Sequence, residues 1–251
     1  MPEIFLLQKV YGRALLEEFG KYLKSICGGL SVGFTGLRAV ESGWVGVQVS
    51  GRDERVAVRL LEREVGLAPV SAEGVERFSV FRGRIVSSGR SRMEVFVDVG
   101  VFSPKPVFAR IPLRTLQGQL ADGARLALGR LVELFVLLDD FPLEVRATGV
   151  GEGVFETELT ERQIGVFDRW IRVGLDRLVV LGALAGDVTE AIRRARIEGD
   201  IVGVESLGFL EHVVVCKLGT DGVGLVPRLG KLLQSAALGV FSPRAMVRIL
   251  D

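Results

Sequence analysis

Phe78-Ser79-Val80-Phe81-Arg82-Gly83-Arg84-Ile85-Val86, a short polar break, and then Glu94-Val95-Phe96-Val97-Asp98-Val99-Gly100 form the stretch that decides the fold class. The second run alternates, with Val95, Val97 and Val99 on one side and Glu94, Phe96 and Asp98 on the other. Such alternation predicts a strand with one buried face. Ser87-Ser88-Gly89-Arg90-Ser91 reads as the turn between two strands. Gly100 breaks the second strand. The loop Phe102-Ser103-Pro104-Lys105-Pro106 is stiffened by its prolines. A third strand is predicted over residues 107–112, a helix over 122–136 and a closing strand over 143–148. Short strands and turn residues in this order set residues 77–148 apart as a mainly β segment.

The segments on either side are of another kind. Residues 3–10 read as a strand. Residues 12–26 read as a helix with Leu15, Leu16, Phe19, Leu23 and Ile26 on one face. Two strands follow near 30–40 and 43–50, joined around Glu41-Ser42-Gly43. Asp53 is placed to cap a helix over 54–65 with Val56, Val58, Leu60, Leu61 and Val65 inward. This β-α-β-β-α order predicts an α+β domain over residues 1–72. After the glycine-rich link at 149–153, a second α+β domain is predicted over 154–251. Thr160-Glu161-Arg162-Gln163 is a capping box, and Asp187-Val188-Thr189-Glu190 is read in the same way. Residues 178–185 read as a buried helix, 200–206 and 210–217 as a hairpin, and 245–250 as a strand. Pro227 suits the first turn of a helix. Gly100-Val101-Phe102-Ser103-Pro104-Lys105 returns as Gly239-Val240-Phe241-Ser242-Pro243-Arg244, after a predicted strand in one place and a predicted helix in the other.

Arg82-Gly83-Arg84-Ile85-Val86, Val95-Phe96-Val97-Asp98-Val99-Gly100 and Ala109-Arg110-Ile111-Pro112-Leu113 with Leu116 resemble the S1-type pattern of an OB-fold RNA-binding domain. The match at Phe96 to Gly100 is close. That at Ala109 to Pro112 is looser, without the usual glycine and histidine. The resemblance implies an OB-type barrel and RNA as its ligand. The whole chain also resembles an archaeal family of unknown function that joins this barrel to flanking α+β domains. That likeness is carried by Cys216-Lys217-Leu218-Gly219-Thr220-Asp221 with Gly224-Leu225-Val226-Pro227, and it implies an archaeal source. Gly224-Leu225-Val226-Pro227 also echoes the S1-type pattern, which leaves open a degenerate second barrel at 200–228.

The composition is that of a foldable chain, 48% hydrophobic and 25% charged over 251 residues. No apolar run reaches a membrane span, and the first residues lack the pattern of a secretory signal, so a cytoplasmic protein with no membrane partner is expected. There is no asparagine, and arginine outnumbers lysine about four to one, which fits a thermophile. Cys27 and Cys216 lie in no metal-binding spacing; two buried thiols in a reducing cytosol are expected, and a disulfide stays open. The net charge of +1 conceals a polarity. Residues 77–114 hold eight basic and two acidic residues, whereas residues 133–161 hold eight acidic residues against Arg146 alone.

An OB barrel holds single strands with a basic groove and exposed aromatic platforms. Phe81, Phe96, Phe102 and Phe108 are interleaved here with Arg82, Arg84, Arg92, Lys105 and Arg110, the expected RNA-binding set. Asp98 is expected on the exposed face of its strand. The expected function is non-catalytic binding of single-stranded RNA in RNA metabolism, translation or transcription. The alternative is docking onto a ribosome or RNA polymerase, which the acidic segment motivates. Asp139-Asp140 and Glu156/Glu158 give weak grounds for magnesium. The serines lack triad partners, and His212 is the sole histidine, so no catalytic residue, metal or cofactor is expected. The loop at 219–224 has glycines for a phosphate but no P-loop ending.

Overall fold

A computed structural model describes residues 3–40, 42–151 and 153–250, with side chains to residue 246. The expected turn residue Glu41 and the link residue Glu152 lie outside the described residues. By its internal contacts the chain forms two units. One comprises residues 1–75 with 99–107, and the other residues 76–98 with 108–251.

The first unit is built from β1 (Glu3–Lys9), α1 (Arg13–Ile26), β2 (Val32–Ala39), β3 (Trp44–Gly51) and α2 (Glu54–Glu64). The strands form one antiparallel sheet in the order β1-β3-β2. Valines at alternate positions of the central strand, Val45, Val47 and Val49, are fully buried, as are Phe19 and Leu23 of α1 and Ala57 and Leu61 of α2. This is the burial that the two periodicities predict. Two details differ from expectation. Val56 is 55% exposed. Asp53 makes no side-chain cap; its carboxylate instead accepts the Ser31 amide at 2.8 Å, tying the start of α2 to the start of β2. Residues 99–107 belong here: Val70 donates to Gly100 and accepts from Phe102, and the Phe102 ring meets Phe5 edge-on at 5.0 Å.

The second unit opens with β4 (Val80–Val86), β5 (Glu94–Val101), β6 (Val107–Pro112), α3 (Leu113–Leu120), α4 (Leu128–Phe135), β7 (Pro142–Gly151) and β8 (Val154–Leu159). The five strands close into a barrel in the order β4-β5-β6-β8-β7. β6 and β8 run parallel, while β4 pairs antiparallel with β5 and β7, and β7 with β8. Ile85, Val97, Ala109, Ile111, Val145 and Phe155 fill the interior. A Cβ at Gly83 would collide with the Asp98 carbonyl oxygen, so β4 approaches β5 this closely because that position is glycine.

The barrel departs from expectation in two ways. The fifth strand, β8, lies beyond residue 148, and Gly149 and Gly151, expected in a link, belong to β7 and pair with Glu156 and Val154 of β8. The helix expected at 122–136 is present as α4 but starts only at Leu128, and an unexpected helix, α3, precedes it, with a turn between them at Asp122 and Gly123, both at positive φ. The Gln119 side chain of α3 fixes the barrel end by donating to the Leu159 carbonyl and accepting its amide, both at 3.0 Å.

The chain continues through α5 (Glu161–Val173), β9 (Arg177–Leu181), α6 (Ala185–Arg194), β10 (Ile201–Ser206), β11 (Glu211–Cys216), α7 (Gly222–Gly230), β12 (Ala237–Phe241) and α8 (Pro243–Leu250). The strands make an antiparallel sheet in the order β10-β11-β9-β12. The expected hairpin is present, but a second barrel at 200–228 is not: its strands belong to this open sheet. Thr160 caps α5 as the capping box requires, accepting from the Gln163 amide. The expected helix at 178–185 is instead the inner strand β9, every residue of which is buried. A short apolar run flanked on both faces fits either element. Residues 245–250 are helical. Asp187 lies inside α6, which has no side-chain cap, and Pro227 sits in the interior of α7, which Asp221 caps six residues earlier. The second copy of the repeated hexapeptide ends the strand β12, not a helix. Cys27 and Cys216 are both free and buried.

Candidate nucleic-acid interface

The outer face of the barrel takes its charge from both halves of the polarity in the sequence. Strand pairing sets Arg82 opposite Glu144, Arg146 opposite Glu158 and Arg110 opposite Glu156. Each pair closes: Arg82 to Glu144 at 3.7 Å, Arg146 to Glu158 at 2.7 Å, and Arg110 to Glu156 at 2.5 Å and Glu94 at 3.6 Å. Arg162 of α5 adds a second contact to Glu144 at 3.4 Å. Glu144 and Glu156 of the acidic segment thus answer Arg82 and Arg110 of the basic one, and Arg146 pairs within the acidic segment. Opposite charges directly across strands stabilise a sheet modestly, and they also neutralise the surface on which they stand.

Two of the expected contact residues are buried, Phe81 in the barrel interior and Arg84 on the opposite side of β4. Phe81 is buried and stacks on Phe155 with centroids 5.6 Å apart and planes within 2°. Arg84 is buried and ion-paired at 3.0 Å with the equally buried Glu211 of β11, and it donates to the Asp140 carbonyl at 3.4 Å. Gly208 in the β10–β11 turn lies against this pair; a Cβ there would collide with the Glu211 carboxylate. Asp98 stands across from Arg84 in the β4–β5 register and is buried, correcting the expectation of an exposed carboxylate.

Phe96 and Phe108 keep to the outer face. Arg110 reaches Glu94, which puts both on the outside of β5 and β6, and Phe96 and Phe108 are each two residues along from one of them. Phe96 is half-buried and Phe108 is 36% exposed. Arg92 is exposed in the β4–β5 loop, next to Met93, whose carbonyl accepts the Leu113 amide at the start of α3. This bond brings Arg114 beside the loop. Arg90, Arg92 and Arg114 are exposed and make no ion pair among the described residues. Arg90 and Arg114 were not expected; they became visible only when the acidic partners of the strand arginines were identified. Phe102 and Lys105 belong to the first unit, Phe102 half-buried against Phe5 and Lys105 exposed.

The remaining groups with chemical potential are engaged within the fold. The first amides of α7, at the end of the glycine-rich loop, are taken by carboxylates: Gly222 donates to Asp176 at 3.0 Å and Val223 to Asp221 at 3.0 Å. Two carboxylates at that helix start oppose a phosphate there. Asp139 accepts the Ser88 amide at 2.6 Å, and Ser242 donates to Asp176 at 2.9 Å. Among the described residues no group of three or more His, Cys, Asp or Glu could hold a metal ion. His212 is buried with its Nε2 3.0 Å from the Ala183 carbonyl, so this nitrogen carries the proton; burial lowers its pKa. The Cys216 thiol is pushed up to about 11, chiefly by burial and then by Asp176, Asp200 and Asp221. Among the described residues no helix is long and apolar enough to cross a membrane.

These features define a mixed α+β protein with a closed five-strand barrel and two further sheets. The DUF2110 N-terminal domain matches residues 3–70 and the DUF2110 C-terminal domain matches residues 175–241. Together they span more than half of the chain, which belongs to the DUF2110 family. A comparison with curated proteins returns no match.

Proposed function

We propose that the barrel is OB-type and that the protein binds single-stranded RNA through the outer face of β5 and β6 and the β4–β5 loop, without catalysing a reaction. The strand order β4-β5-β6-β8-β7, the parallel pairing of β6 with β8, and helices between the third and fourth strands support the OB assignment. In OB folds the second and third strands and the loop joining the first two form the usual ligand face. The observation that carries the proposal is the presence of Phe96 and Phe108 on that face, beside a loop bearing Arg90, Arg92 and Arg114. Aromatic platforms take successive bases, and the guanidinium groups meet phosphates. The strand arginines contribute less than the sequence suggests, because glutamates already answer them.

The acidic segment, which motivated docking onto a ribosome or RNA polymerase, commits Glu144, Glu156 and Glu158 to the barrel's own arginines. It lends that alternative no separate support. The resemblance to an archaeal family and the amide-poor composition extend the proposal to a cytoplasmic RNA-binding protein of a thermophilic archaeon. A filter-binding titration with oligouridine at low salt tests it. Phe96→Ala should weaken binding by roughly 1–3 kcal/mol, the usual worth of one stacked base, while the thermal midpoint moves little. Absence of RNA retention by the unmodified chain would dispose of the proposal.

A further inference from the structure

The outward face of α2 carries Arg55, Arg59 and Arg63, all exposed, opposite the buried Ala57 and Leu61, and exposed Arg52 lies in the turn just before the helix. At 1.5 Å per residue the three helical arginines span roughly 12 Å along the helix axis. Arg55, Arg59 and Arg63 follow one another at the four-residue spacing that brings side chains together.

A solvated helix normally answers such charges on its own surface. α1 does so: Arg13 pairs with Glu17 at 3.0 Å and Lys21 with Glu18 at 2.7 Å. On α2 only Arg63 is answered, by Glu64 at 2.7 Å. Among the described residues Arg52, Arg55 and Arg59 make no ion pair, although Glu62 stands three residues beyond Arg59. Like charges four residues apart destabilise a helix, and Arg55 in the first turn opposes the helix dipole. A local rule broken without compensation marks a surface shaped for something other than stability.

We propose that this stripe is a second contact surface, apart from the barrel, for the phosphate backbone of single-stranded RNA. Guanidinium groups pair with phosphates in a fork geometry, and a linear row of them matches a linear polyanion. The chemistry favours nucleic acid over a membrane or a protein. The apolar face of α2 is committed to its own sheet, and Val56 is the one exposed apolar side chain on the helix, so nothing is available for insertion into lipid or for an apolar interface centre.

The test is a salt series of fluorescence anisotropy with labelled oligouridine and the full chain, comparing wild type, R55Q/R59Q and Phe96→Ala. Each phosphate contact on a single strand carries a salt slope of about 0.7. The double variant should therefore bind roughly tenfold more weakly at physiological salt and show a visibly shallower slope, with its unfolding midpoint unchanged or raised. Phe96→Ala should weaken binding without changing the slope. Wild-type affinity and slope in R55Q/R59Q would overturn the α2 surface and leave the barrel reading standing; no effect of Phe96→Ala alone would do the reverse. If R55Q/R59Q lost only binding to phosphatidylserine vesicles and kept binding to oligouridine, a lipid surface would replace RNA and the proposal would fall.

Discussion

The outer faces of the barrel and of α2 are both rich in arginine, and they treat it in opposite ways. On the barrel, Arg82, Arg110 and Arg146 each stand across a strand from a glutamate. On α2, Arg55 and Arg59 stand in a row without one, as does Arg52 just before the helix. A count of basic residues along the chain ranks the barrel segment as the cationic one. The fold narrows that difference on the strands, because β7 and β8 bring Glu144 and Glu156 opposite Arg82 and Arg110, while Arg90, Arg92 and Arg114 stay unanswered in and beside the β4–β5 loop. Whether an arginine is available to a partner depends on what folding brings opposite it, and sequence neighbours do not reveal this.

That contrast can be broken or sharpened by substitution. The largest effect is expected at the buried extreme. Arg84→Met leaves Glu211 charged and buried, and should cost about 3–5 kcal/mol by denaturant unfolding, with much of it recovered in the Arg84→Met/Glu211→Leu pair. A loss below about 1 kcal/mol would mean that the buried pair is solvated. On the barrel surface, Arg146→Gln should cost less than about 1 kcal/mol and leave RNA affinity unchanged. A large loss of affinity there would show that the strand arginines reach RNA despite their glutamates. On α2 the sign should invert: Arg59→Gln should stabilise by roughly 0.2–0.5 kcal/mol by relieving two like-charge neighbours. Destabilisation would show that Arg59 has a stabilising role in the fold.

Much of the architecture was legible because it is written in local periodicity. The β-α-β-β-α order of the first unit, the first three barrel strands and the hairpin at 201–216 all follow from alternating or helical spacing. What escaped depends on distant residues. Glycines made residues 149–153 resemble a linker, yet Gly149 and Gly151 are strand residues paired with Glu156 and Val154. After Arg177, β9 is apolar because sheet neighbours and helices cover it on both sides, and its run of valine and leucine carries no period. Of the candidate contact residues, Phe96 was legible from alternation along its strand. The burial of Phe81 and Arg84 was not, because Phe155 and Glu211, which enclose them, lie far along the chain.

His212 gives this molecule a built-in gauge. Its imidazole is neutral and buried, and burial holds its pKa below the ordinary 6.5. The unfolded chain therefore takes up a proton first as the pH falls. The stability contributed by His212 is complete above about pH 6.5 and is lost as the pH falls through the lowered folded value. With one histidine in the chain, a single imidazole resonance followed by NMR reads both the proton and the integrity of the β10–β11 hairpin. A midpoint at or above 6.5 would mean that the hairpin is open to water. Since Glu211 of the Arg84 pair is the neighbouring residue, the same signal also reports whether the barrel and the C-terminal sheet stay fastened together.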